Sequence, residues 1–441
     1  MTYLMRNYAE LEAGSTALVK AIVLGDEDET VNVMNKYDQY CPEIFTTITA
    51  EGTTALHCVA QRIRPQILRI MLELGVDINC RDNAGETPLL KSILYNNLAT
   101  SKILIDHGAD VNETVCHKSG NTLLHKLILG DRLKAVEMLV DRGAAINTGD
   151  KTGRSSFHMS LLKNNLKMTS FLIERGADVN SSDNSGRNAL HMTIGYKHPD
   201  LTKLLISKNA DVSSKDRTGT TPLHLSVSEG YFDVVKLILR RSQANVNTKE
   251  KLMGRTPLHM ACAISHFPIT RLLIDNGADV NLTTNFRKSA LHLATTNGSV
   301  DITSLLLKHA ANVNMLTIGN KTPLHNAIDS GTVGVASLLL QYGANINLRD
   351  LQGSTPLHYS ARTGSLDCVR LLLRCGVNIN SYDNKQRTAL HAAIMHNHKN
   401  TAMCLIHGGI NVATVDEENK VATDYDKSGQ VKVLVQKLYA D

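Results

Sequence analysis

The chain has 441 residues with 47 Lys and Arg interspersed among 42 Asp and Glu, so its net charge of +5 does not imply nucleic-acid binding. Aromatic residues make up 4% and Trp is absent, which argues against a large globular core or a base-stacking platform, since both draw on aromatic rings. No stretch nears the roughly 18 apolar residues that span a bilayer, residues 1–10 hold no signal-peptide core, and the eight Cys contain no C-x-x-C pair. The expectation is a chain without membrane insertion in a reducing compartment, cytoplasmic and possibly nuclear.

In chain order, Tyr3, Leu4, Tyr8 and Leu11 fall at helical spacing and predict a leading helix over residues 1–14. Ser15-Thr-Ala-Leu18 is a worn copy of a phrase that returns later, and the following Tyr40-Cys-Pro-Glu-Ile-Phe45 departs from pattern. Residues 1–53 are therefore read as an atypical N-terminal capping unit, 54–420 as the regular array and 421–441 as a polar C-terminal cap. The full phrase, Thr-Pro-Leu-His, stands at Thr221–His224, Thr256–His259, Thr322–His325 and Thr355–His358, with variants at Thr54, Thr87, Thr122, Ser155, Asn188, Ser289, Thr388 and Val421. Nine of the eleven steps are 33 residues and two are 35.

Thr suits an N-cap, and Pro suits the first helical position. Leu then faces the core, and His stands where a side chain reaches back to the cap. Apolar runs such as Val234, Val235, Leu237, Ile238 and Leu239 predict a second helix. A Gly follows in most repeats, for example Gly277 and Gly343, where a left-handed residue closes the helix; Asn209 fills the same slot, and Ser242 and Ala310 break the rule. One such repeat cannot bury its apolar face alone, so neighbours must stack.

Period and phrase resemble the ankyrin repeat over about residues 50–430, and tails such as Asp110-Val-Asn112, Asp178-Val-Asn180 and Asp279-Val-Asn281 resemble the family's ending. The resemblance implies an all-α ankyrin-repeat solenoid of helix-turn-helix units with extended hairpin-like loops. It implies a non-enzymatic scaffold or adaptor, monomeric, that binds partner proteins on its concave or finger face without cofactor, metal or nucleic acid. Two alternatives are a substrate-recruiting adaptor of a ubiquitin ligase or host-directed effector, for which no box motif is found, and a membrane- or cytoskeleton-associated scaffold. Asparagines after Val or Ile read as turn residues bonding their own backbone. In the family such residues resemble oxygenase substrates, which makes Asn180, Asn281, Asn314 and Asn347 candidate hydroxylation sites. Ten of the 18 His belong to the phrase, one per repeat, too far apart for shared metal ligation. Cys58, Cys262 and Cys404 read as small core residues.

The candidate site is a departure from the repeat. Five residues before the phrase most repeats carry Asp, as at Asp183, Asp350 and Asp383, but three adjacent loops, 249–254, 283–287 and 315–319, do not. They carry Leu252, Met253, Phe286, Arg287, Leu316 and Ile318, and Leu351 and Tyr382 extend the trend. Adjacent apolar finger tips would form a stripe of a kind a monomer seldom exposes without use. These eight residues are the predicted partner-binding set. The basic residue before the phrase (Arg154, Arg187, Arg255, Lys288, Lys321, Arg387, Lys420) reads as a solvated row, with a stripe for an acidic partner as the alternative.

Overall fold

Every phrase in the described residues opens a helix, apart from the last, which opens a single 3-10 turn at Ala422–Tyr425. The computed structural model describes residues 17–22, 27–36, 52–116, 118–241, 244–427 and 429–438. The predicted leading helix, the irregular tail at 40–45 and Ser242 lie outside them. Residues 17–22 are helical, with Leu18 and Ile22 buried, so the worn phrase does lead into a helix. The fold class is the expected all-α repeat solenoid. Its one two-stranded sheet among the described residues pairs Thr114–Cys116 with Asn121–Thr122, where a 35-residue step lengthens the loop by two.

Contacts divide the chain into two units, Met1–Leu201 and Thr202–Asp441. In the first, helix Ala55–Ala60 packs on Pro88–Leu94, and Ser156–Leu162 packs on both Leu123–Leu129 and Ala189–Gly195. In the second, the phrase helices Pro222–Ser228, Pro257–Ala263, Ala290–Thr296, Pro323–Asp329, Pro356–Thr363 and Ala389–Met395 each pack on the next. Their partner helices, among them Phe267–Asp275, Val300–Lys308, Val333–Gln341 and Leu366–Arg374, stack likewise. The third phrase residue is half-buried Thr423 in the last copy and is buried in every copy from Leu56 and Phe157 to Leu324 and Leu390. Each such side chain contributes about 2 kcal/mol by leaving water, and a phrase that lost it would lose a stacking contact on both sides.

Helix ends follow the predicted chemistry. Gly277 and Gly343 take φ of +86° and +83° just past their helices, and Asn209 takes +61°. Ala310 breaks the residue rule but not the geometry: it holds φ +60°, where a Cβ is strained. Cys58, Cys262 and Cys368 are buried, whereas Cys404 is only half-buried, so it is not the full core residue expected.

Candidate protein-binding surface

The phrase His joins repeats as well as capping a helix. The Thr256 N–H donates to His259 Nδ1 at 3.2 Å, so Nε2 carries the proton and donates to the Lys288 carbonyl of the next repeat at 3.1 Å. His292 and His325 repeat the arrangement with the carbonyls of Lys321 and Ser354. Burial holds the His259, His292 and His325 imidazoles down to about 4. The repeat at Thr87 has Leu90 instead of His. There the Thr87 hydroxyl donates a hydrogen bond to Oε1 of buried Glu113, at the base of the lengthened loop, at 2.5 Å.

The asparagine ladder also runs between repeats, not within its own turn as expected. Asn281 Oδ1 accepts from the Asn312 N–H at 2.8 Å, and its Nδ2 donates to the Ala310 carbonyl at 3.1 Å. Asn314 and Asn347 accept from Asn345 and Asn378 in the same way. The own-turn bond comes from the residue two earlier: the Asn281 N–H donates to Asp279 Oδ1, and the Asn180 N–H to Asp178 Oδ1.

These clamps fix the loop that precedes each phrase. In the common form an Asp anchors it. Asp183 Oδ1 accepts the N–H groups of Ser185 and Arg187, and its Oδ2 accepts the Arg187 guanidinium at 2.8 Å. Asp383 does the same for Lys385 and Arg387. Of the three exceptional loops, 249–254 keeps a carboxylate after all. Glu250, one residue earlier in a loop lengthened by two, takes the N–H groups of Leu252, Met253 and Arg255 and pairs with the Arg255 side chain. In the other two a threonine replaces the acid. Thr284 Oγ1 accepts the Lys288 N–H at 3.2 Å and Thr317 Oγ1 the Lys321 N–H at 3.1 Å. Their backbones close the same turn, as the Thr284 N–H bonds the Lys288 carbonyl and the Thr317 N–H the Lys321 carbonyl.

Successive tips are tied to one another. The Asn285 N–H bonds the Met253 carbonyl, the Ile318 N–H the Phe286 carbonyl and the Leu351 N–H the Gly319 carbonyl. On this ladder the apolar tip side chains stay in solvent: Leu252 is 74% exposed, Ile318 and Leu351 are 56% exposed, and Met253, Phe286 and Tyr382 are 46–48% exposed. Arg287 is exposed and holds φ +55°, where Gly186, Gly219 and Gly353 stand in other loops. Leu316 departs from its predicted place at a tip. It precedes the Thr317 anchor and is half-buried. Tyr382 also precedes its anchor, and the Arg349 guanidinium lies 5.5 Å from its ring.

Sequence reasoning missed a neighbouring cleft of about 270 Å³ lined by Lys321, Asp350, Tyr359, Arg362, Arg387 and Met395, among others. Tyr359 lies between two cations, with Lys321 Nζ 4.8 Å and Arg362 Cζ 4.4 Å from its ring, and its hydroxyl donates to Asp350 Oδ2 at 2.7 Å. Burial, and then that bond, push the Tyr359 hydroxyl pKa up. The available signal was an aromatic residue directly after the phrase, shared with Tyr425, whose hydroxyl donates to Asp416. The close pair His396 and His398 spends one ring nitrogen each on carbonyls of Ala392 and Arg362. Among the described residues no cluster of His, Cys, Asp and Glu has the grouping of a metal site, and no helix is long and apolar enough to cross a membrane.

Helix pairs joined by clamped finger loops define a repeat protein of the stacked helix-turn-helix class. The family model for ankyrin repeats in groups of three matches residues 7–115, 112–183, 178–250, 258–350 and 347–416, and the chain belongs to the ankyrin repeat family. It is 31% identical over 84 residues to the Neurogenic locus Notch protein of Drosophila melanogaster, a match covering 19% of this chain and 3% of that protein. Over 98 residues it is 34% identical to BCL-6 corepressor-like protein 1 of Homo sapiens, covering 22% and 5%. Over 59 residues it is 41% identical to the ADP-ribosylation factor GTPase-activating protein AGD2 of Arabidopsis thaliana, covering 13% and 8%. The chain thus spans a small fraction of each of these relatives. Ankyrin repeats generally mediate protein–protein interaction and are generally non-enzymatic.

Proposed function

We propose that this chain is a non-enzymatic scaffold or adaptor that captures a partner protein on its finger tips from Leu252 to Tyr382, between an N-terminal cap at 1–53 and a C-terminal cap at 421–441. One observation carries the reading: successive loops whose backbones are hydrogen-bonded to one another expose large apolar side chains at Leu252, Phe286, Ile318 and Leu351. Apolar surface held out by an ordered turn is surface a partner can cover with little further ordering cost. Leu316, half-buried, is the weakest member of the set. The test is proximity labelling and pull-down with the intact chain beside Leu252→Ser/Phe286→Ser/Ile318→Ser. The variant should lose its captured proteins and keep its melting transition, because all three side chains are already in solvent. Unaltered capture would refute the reading.

A further inference from the structure

The two threonine anchors leave a charge uncovered. In three other repeats the basic residue before the phrase is paired to its loop's anchoring acid: Arg187 to Asp183, Arg255 to Glu250, Arg387 to Asp383. Arg154 lies 3.9 Å from Asp183 of the next loop, and Lys420 pairs with Glu418. A hydroxyl at Thr284 or Thr317 holds the turn but cannot neutralise a cation. Lys288 and Lys321 accordingly have no ion pair among the described residues, and neither does Arg287 beside them. The imbalance is wider than the two loops. Between Asp279 and Asp329 the only acid is Asp301, against Arg287, Lys288, Lys308 and Lys321. Nearby acids are already spent. Asp350 accepts the N–H groups of Gln352 and Ser354 and the Tyr359 hydroxyl, and Asp329 pairs with Arg362.

We propose that this face takes an acidic, extended segment of a partner protein, with carboxylates on Lys288 and Lys321 and apolar side chains against Phe286 and Ile318. The proposal rests on the apolar tips being the partner site and adds the partner's chemistry. Adjacent repeats stack roughly 8–10 Å apart, and an extended chain advances about 3.3 Å per residue. The two carboxylates then fall about three residues apart, with apolar residues between and beside them. Arg287 keeps a third cation at the tip despite its left-handed backbone. A nucleic acid fits less well. The cations are few, they alternate with aliphatic side chains, and Phe286 is the one ring among the tips Leu252, Phe286, Ile318 and Leu351, whereas single strands bind on runs of stacked rings.

The experiment pans a random-peptide phage library on the full-length chain and measures the selected peptides by fluorescence anisotropy on three proteins: the parent, Thr284→Asp/Thr317→Asp, and Leu252→Ser/Phe286→Ser/Ile318→Ser. The first variant installs the anchor that Asp183 and Asp383 already use, so the turn is kept and the lysines are recaptured. Selected peptides should carry two acids about three apart, lose about tenfold in affinity on the aspartate variant, and weaken as salt is raised. Neutral or basic winners, or acidic winners indifferent to the aspartate variant, overturn the charge proposal; the tip reading still stands if the serine variant abolishes their binding. Winners that bind all three proteins alike, or no enrichment at all, overturn both. Displacement of the winners by random-sequence DNA at physiological salt assigns the cations to nucleic acid and overturns the proposal.

Discussion

The loops anchored at Asp183 and Asp383 and those anchored at Thr284 and Thr317 trace the same turn with opposite electrostatic results. In the first pair a buried carboxylate holds two backbone N–H groups and a guanidinium. In the second a hydroxyl holds the turn at one N–H and leaves a lysine without an ion pair among the described residues, Lys321 resting over the Tyr359 ring. The backbone geometry of the repeat is therefore separable from its surface charge. Two conservative-looking exchanges convert a neutral finger into a cationic one without disturbing the stack beneath.

The largest expected effect is on pH dependence, because the anchor also acts on the phrase His of the preceding repeat. Desolvation lowers every resolved phrase His. For His158, His325 and His358 the anchors Asp183, Asp350 and Asp383 oppose it, whereas for His259 and His292 the cations Lys249 and Lys288 act in the same direction as burial; His325 still falls as low as those two, so burial is the larger cause. A folded-state pKa of about 4 against 6.5 means that the unfolded chain binds more protons between those values, so stability falls as pH drops from about 6.5 to about 4 and then levels. Each of His259, His292 and His325 accounts for roughly 3 kcal/mol of that loss. Thr284→Asp should raise the His259 pKa, read by NMR titration of its imidazole. An unchanged pKa would break the link between anchor and histidine.

A smaller difference should separate the anchors themselves. Asp383→Ala removes four hydrogen bonds and strands Arg387, which should cost about 3 kcal/mol. Thr317→Ala removes one backbone bond and should cost about 1 kcal/mol. Urea unfolding of the two variants measures both, and equal costs would mean that the anchors are not different devices.

What was legible in the sequence follows from how local its cause is. The cap at Thr256, the reach of His259 and the left-handed closure at Gly277 are decided within one turn of chain, so phrase and period announced them. The Ala310 closure keeps its left-handed backbone against the residue's own preference, and its carbonyl accepts from Asn281 Nδ2 of the preceding repeat. The Glu250 anchor was missed because an insertion shifted it by one position. Glu113 acting for the absent histidine at Leu90, and Tyr359 between Lys321 and Arg362, join residues from different repeats, and no local pattern encodes those meetings. The row of basic residues read as uniform and solvated. The anchors divide it into Arg187, Arg255 and Arg387, each ion-paired to its own loop, and Lys288 and Lys321, which have no ion pair among the described residues.

The most direct measurement is a charge swap. Lys288→Glu/Lys321→Glu is titrated, beside the parent chain, with a selected acidic peptide and with the same peptide carrying Lys in place of its acids. Complementary charge at these two positions predicts that the parent prefers the acidic peptide and the swapped chain the basic one, each by about tenfold. Both chains preferring the same peptide would contradict it.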